Sequence, residues 1–119
     1  MATKKNYKSA TVREENEGEN PRPQAIRVFG KDFAVVTNPR GVIPSDASGF
    51  LLYNNQMVVL SEGLTPAEEA DTLLHEITHA IDFTMGLELT ERQVTQLATG
   101  LYGVLQDNPE FAKWLIERR

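Results

Sequence analysis

Thr65-Pro66-Ala67-Glu68, followed by Leu73-Leu74-His75-Glu76-Ile77-Thr78-His79 and closed by Gly86, is the run around which the rest of the chain can be ordered. Thr65 can cap a helix, Pro66 suits a first turn where no N–H bond is needed, and Glu68 completes a Thr-x-x-Glu capping box. Gly86 supplies a left-handed stop. Between these signals Ala70, Leu73, Leu74, Ile77, Ala80, Ile81 and Met85 recur at helical spacing, so one face of the helix should meet a core. His75, Glu76 and His79 flank that stripe, which predicts that they stand beside the core and face a cleft. At about 3.6 residues per turn, the two histidines leave the same side of the helix one turn apart.

Upstream the period changes. Ile26, Val28 and Phe29, then Gly30-Lys31, then Phe33, Ala34, Val35 and Val36 predict two strands joined by a tight turn. Phe50-Leu51-Leu52-Tyr53 and Met57-Val58-Val59-Leu60 flank Asn54-Asn55, residues that tolerate the left-handed backbone of a hairpin turn. Asn38-Pro39-Arg40-Gly41 and Pro44-Ser45-Asp46 mark the loop between the hairpins. Downstream, Thr90 and Gln93 form a second capping box, and Val94, Leu97, Ala98, Leu101, Val104 and Leu105 trace the inward face of a second helix. A short third helix is expected from Asn108-Pro109, burying Phe111, Trp114 and Leu115. Strands first and helices after give an α+β class, with N-terminal antiparallel β-hairpins preceding the histidine-bearing helix.

The chain has 119 residues, 40% of them hydrophobic, which suits one domain with a modest core. Residues 1 to 24 are poor in apolar side chains and carry Lys4, Lys5, Lys8 and Arg13, then Glu14, Glu15, Glu17 and Glu19. That composition predicts a disordered tail and places the single folded domain at 25–119. A net charge of -5 disfavours electrostatic capture of nucleic acid or of an anionic membrane. No apolar run reaches spanning length, and the basic start leads into polar residues instead of an apolar signal segment, so a cytoplasmic protein is expected. With no cysteine, disulfides and thiolate metal sites are excluded.

His75 and His79 are the only 2 histidines in the chain. Two imidazoles a turn apart can share one tetrahedral zinc ion, and any third protein ligand must then be a carboxylate. In a His-Glu-x-x-His arrangement the glutamate is not a ligand; it serves as general base toward water activated by the ion. Asp82 lies seven residues beyond His75, about 10.5 Å along the axis, which suits a partner for a histidine N–H better than a third ligand. Asp71 has the same difficulty with His79. Glu88, in the loop after Gly86, stays open as an alternative. Glu91 is favoured, because it opens the second helix three positions before Val94 and shares its apolar stripe, where a carboxylate needs a partner. Without a metal, Glu91 would simply complement the helix dipole.

The strand Met57-Val58-Val59-Leu60, the helix Leu73-Leu74-His75-Glu76-x-x-His79 and Glu91 opening the next helix together resemble small zincin metallopeptidases of the glutamate-zincin type, including minimal ImmA/IrrE-like and phage-encoded peptidases. The resemblance covers roughly residues 49 to 105. It implies a minimal zincin-like fold, a Zn2+ cofactor held by His75, His79 and Glu91, Glu76 as the catalytic base, and a peptide or protein substrate. It also implies that the Met57 to Leu60 strand is an edge with which an extended peptide pairs. The metzincin pattern does not fit, since Asp82 stands at its glycine and Met85 at its third histidine. The expected function is therefore zinc-dependent peptide-bond hydrolysis; the alternative is a non-catalytic zinc-binding regulatory or phage accessory protein of the same fold. Tyr53 and Tyr102 read as packed rings with exposed hydroxyls, and neither is nominated as an oxyanion donor.

Overall fold

The computed structural model describes residues 21–38 and 47–118. Four strands, β1 (Ala25–Val28), β2 (Lys31–Asn38), β3 (Gly49–Leu52) and β4 (Met57–Ser61), precede three helices, α1 (Pro66–Met85), α2 (Glu91–Asp107) and α3 (Pro109–Ile116). The chain is thus mixed α+β, strands before helices. One sheet holds all four strands in the order β1-β2-β4-β3. Both expected hairpins are present and antiparallel, with Ile26 opposite Phe33 and Leu51 opposite Val58. A parallel pairing of β2 with β4, Val35 beside Val58, joins them into one surface.

That junction corrects one expectation. The Met57 to Leu60 strand is interior, and β3 is the edge on its side of the sheet. Val58, Val59 and Leu60 are consecutive and all nearly inaccessible, which alternation along a half-exposed edge strand would forbid. α1 lies on one face of the sheet, where Leu73 and Ala80 join Val28, Phe33, Val35, Val58 and Leu60 in a single core. Each fully buried aliphatic or aromatic side chain there contributes about 1.5–3 kcal/mol. α2 packs on α1 through the buried Val94 and Ala98.

The turns differ in detail from their sequence signals. Phe29 and Gly30 both take positive φ, 48° and 83°, so the first turn sits one residue earlier than Gly30-Lys31 and has the left-handed pair that a two-residue hairpin loop requires. In the second loop Gln56, not Asn54 or Asn55, takes the left-handed position (φ 52°). Its N–H donates to the Tyr53 carbonyl at 3.0 Å, closing a longer turn.

Gly49 starts the edge strand where backbone and helix converge. A Cβ there would stand 2.6 Å from the Val59 carbonyl oxygen and 3.0 Å from Thr72 Cγ2. Since the nearer atom is backbone, relief requires moving β3 away from β4. Gly49→Ala is therefore expected to destabilise the protein by about 1–3 kcal/mol, as measured by urea unfolding. An unchanged midpoint would show that β3 does not pack this closely.

The C-terminal helices correct a second expectation. α3 forms at Pro109 as predicted, but Phe111, Trp114 and Leu115 remain about half exposed, because α3 packs only on α2 among the described elements. Leu97, Leu101 and Val104 of α2 are exposed as well, and only Val94 and Ala98 of its expected inward face are buried. Arg22, which composition assigned to the tail, donates to Thr37 Oγ1 at 2.9 Å and pairs with Glu69 Oε2 at 2.8 Å. Gln24, also assigned to the tail, accepts from the Val35 N–H at 2.9 Å; residues 1–20 of the expected tail, and the turn signals from Pro39 to Asp46, lie outside the described residues. No described helix is long and apolar enough to cross a membrane.

Candidate metal centre

α1 begins as its sequence dictates. The Glu68 N–H donates to Thr65 Oγ1 at 3.2 Å and the Thr65 N–H to Glu68 Oε1 at 2.9 Å, completing the capping box. At the other end Gly86 adopts the left-handed conformation (φ 64°) and the chain turns back over the last helical turn. Asp82 holds this reversal. Its carbonyl accepts from the Gly86 and Leu87 N–H groups at 2.8 and 3.2 Å, and its Oδ1 accepts from the Leu89 N–H at 3.2 Å. Asp82 is therefore a tie for the connecting loop, not the partner of a histidine N–H. The returning chain brings backbone donors within its reach.

The reversal sets the start of α2 beside the histidine face of α1. Thr90 and Gln93 form the second capping box, with bonds of 3.1 and 2.9 Å, so Glu91 is fixed as the first helical residue. Its carboxylate meets both imidazoles: Oε2 lies 2.8 Å from His75 Nε2, and Oε1 lies 3.0 Å from His79 Nε2. One donor atom from each of His75, His79 and Glu91 falls within 4.8 Å of the others. Glu88, at φ 59° in the loop, does not belong to this group. Glu91 was expected to point inward, yet its side chain is 68% exposed; it reaches the histidines from the solvent side.

The donors fit a zinc ion. Two ligand atoms on a tetrahedral zinc with bonds near 2.0–2.2 Å stand roughly 3.3–3.5 Å apart; one Glu91 oxygen lies 2.8 Å from His75 Nε2 and the other 3.0 Å from His79 Nε2, and the three donors together lie within 4.8 Å, so an ion would part the carboxylate slightly from the imidazoles while drawing in the widest pair. Two imidazoles and one carboxylate, opening on a cleft, are also the donor set of a site that leaves a position for water.

The cleft has a volume of about 550 Å³. Residues 47 to 51, leading into and along the edge strand, form one wall, and Asp71, Thr72, His75, Glu76, His79, Phe83 and Glu91 form the other. Glu76 lines it beside the core, as the periodicity predicted, while being only 6% exposed. Burial, and secondarily the negative charge of Glu91, push its carboxyl up to about 7. No tyrosine, arginine or lysine is among the described residues lining the cleft. The Tyr53 hydroxyl bonds Thr84 Oγ1 at 2.9 Å on the surface. Asp71 Oδ1 accepts from Thr99 Oγ1 at 3.2 Å, a tie between α1 and α2.

The gathering of His75, Glu76, His79 and Glu91 was legible from the sequence; three other features were not. Asp82 as a loop tie had no sequence signal, and the parallel strand junction that makes β3 the cleft wall depends on long-range pairing. Gly49 had a faint one, a glycine directly before an apolar run. No protein-family model matches the chain, and neither a curated protein nor a solved structure matches it.

The Glu76 carboxyl makes the metal-free protein pH-sensitive in a defined direction. Folding raises its pKa from 4.5 to about 7, so the folded state binds this proton more tightly than the unfolded chain. Stability then falls as pH rises from below 4.5 to above 7, by about 3 kcal/mol in all. With a chelator present, Glu76→Gln is expected to match the wild type near pH 4 and to exceed it by about that amount at pH 8. Parallel stability curves for the two proteins in urea would exclude Glu76 as the titrating group.

Proposed function

We propose that this chain is a zinc-dependent metallopeptidase of the glutamate-zincin type, with a minimal zincin-like fold. His75, His79 and Glu91 hold the ion, and Glu76 is the general base. The observation that carries this reading is one carboxylate in contact with both imidazole Nε2 atoms, next to a buried glutamate on the same cleft. A bound zinc ion would polarise the scissile carbonyl and make water acidic near neutral pH.

The chain's own residues do the rest. Glu76 takes a proton from the attacking water and returns it to the leaving amine nitrogen, a transfer that works best when the carboxyl's pKa is near the working pH. The wall formed by β3 offers an edge strand to an extended peptide, which can pair with it through main-chain hydrogen bonds. Phe83, exposed on the opposite wall, gives such a peptide an apolar surface to rest on.

One observation favours the non-catalytic reading, in which the zinc site stabilises a small regulatory or phage accessory protein. The described cleft lining holds no tyrosine, arginine, lysine or further histidine that would stabilise a developing oxyanion from a side chain. Digestion of an open peptide library by the zinc-loaded protein separates the two. Cleavage above a Glu76→Gln control is the expected result; zinc binding with no cleavage above that control would favour the binding protein.

A further inference from the structure

Asp71, His75, His79 and Phe83 follow one another at four-residue spacing along α1, and all of them line the cleft. Each step is about 6 Å along the helix axis, so the two histidines are flanked by a carboxylate on one side and an aromatic ring on the other. The two ends differ in what they offer a bound peptide. The Phe83 ring is 61% exposed, stacks on His79 at 6.5 Å between centroids and is backed by Tyr53 at 5.3 Å. At the other end one Asp71 oxygen accepts from the Thr99 hydroxyl, and no described residue bonds the second.

Charge decides what that open oxygen takes. Among the described residues lining the cleft, Asp71, Glu76 and Glu91 are acidic and none is a lysine or arginine. Glu91 is committed to the two imidazoles. Glu76, only 6% exposed, lines the cleft without a hydrogen bond or ion pair to any described residue, so what satisfies it must enter from the cleft. A divalent ion at the histidines is balanced by Glu76 and Glu91 together, which leaves Asp71 as the uncompensated charge of the site.

We propose that Asp71 is a specificity-determining residue, selecting peptides that carry an arginine or lysine side chain on one side of the bond held at the metal centre. This rests on the reading of the cleft as a peptide-binding metal site. The reach is suitable: the step from His75 to Asp71 spans about two residues of extended chain at roughly 3.3 Å each. Thr99 holds the carboxylate by one oxygen, so little ordering is left to be done when a cation meets the other. An acidic side chain at the same place meets like charge. The Phe83 end offers a ring and no counter-charge, which makes the preference one-sided.

Fluorescence anisotropy of short fluorescein-labelled alanine–serine peptides, with a central arginine, norleucine or glutamate, tests this on the full-length Glu76→Gln protein with zinc present. The arginine peptide is expected to bind about 10- to 100-fold more tightly than the norleucine peptide, the gain from one charge-assisted pair, and the glutamate peptide more weakly than either. Adding Asp71→Asn keeps an oxygen for Thr99 but removes the charge, and should erase the arginine preference. Adding Glu110→Gln instead, an equal change of charge at an exposed residue of α3, should leave it intact. Equal affinity for the arginine and norleucine peptides, a preference that survives Asp71→Asn, or no binding of any peptide would overturn the proposal. Incubating the same peptides with the wild type separates it from the peptidase reading. Cleavage without preference for arginine leaves that reading standing and overturns this one; binding that needs both arginine and Asp71, with no cleavage, supports this one and removes the peptidase reading.

Discussion

Replacing Glu76 with glutamine is expected to lower peptide hydrolysis by about 10²–10⁴-fold while the protein keeps its zinc. The substitution preserves size and removes only the ability to accept a proton. Glu76 is not one of the three gathered donors, which are His75, His79 and Glu91, so metal affinity should be nearly unaffected. Stability should not be lost either, because the buried carboxyl is held up at about 7 and a neutral amide suits the same environment. A loss confined to kcat, in a folded and zinc-loaded variant, assigns proton transfer to Glu76. Loss of zinc together with activity would instead make Glu76 a structural support of the site.

Glu91→Ala carries the second large effect. Removing a group that merely orients a metal ligand costs about 10–100-fold in metal affinity, so removing a ligand should exceed about 100-fold. Glu88→Ala is the matched control: Glu88 lies only three residues away, is exposed, and stands outside the donor group. Zinc affinity measured by competition with a chromophoric chelator should fall in the first variant and hold in the second. Equal losses would mean that the loop, not the Glu91 carboxylate, matters to the ion. The same comparison tests Asp82 indirectly, since Asp82→Ala frees the Leu89 N–H and loosens the reversal that delivers Glu91.

Much of this site could be read from the chain because its determinants are local. Capping boxes at Thr65 and Thr90 and the stop at Gly86 fix where two helices begin and one ends, and these depend on residues three or four apart. His75 and His79 then share a face by helix geometry alone, and exclusion of cysteine and further histidine leaves a carboxylate as the third donor. The two hairpin turns were misplaced locally, at Phe29-Gly30 and Gln56, but the misreadings that shape the cleft and the helix faces concern partners distant in sequence. The β2–β4 pairing makes the Met57 to Leu60 strand interior and hands the cleft wall to β3. Leu97, Leu101, Phe111 and Trp114 have core-like spacing, but spacing fixes only which side chains share a face, not whether a neighbour covers it. Glu91 followed the predicted position along its helix but not the predicted burial, since the loop tied by Asp82 determines from which side it approaches.

The most direct test of the central claim is the zinc content of the purified full chain at neutral pH after free metal has been removed. One zinc per chain is expected in the wild type and in Glu76→Gln, and essentially none in a still-folded His79→Ala. A folded wild-type protein that remains metal-free after incubation with zinc would contradict the assignment of His75, His79 and Glu91 as its ligands.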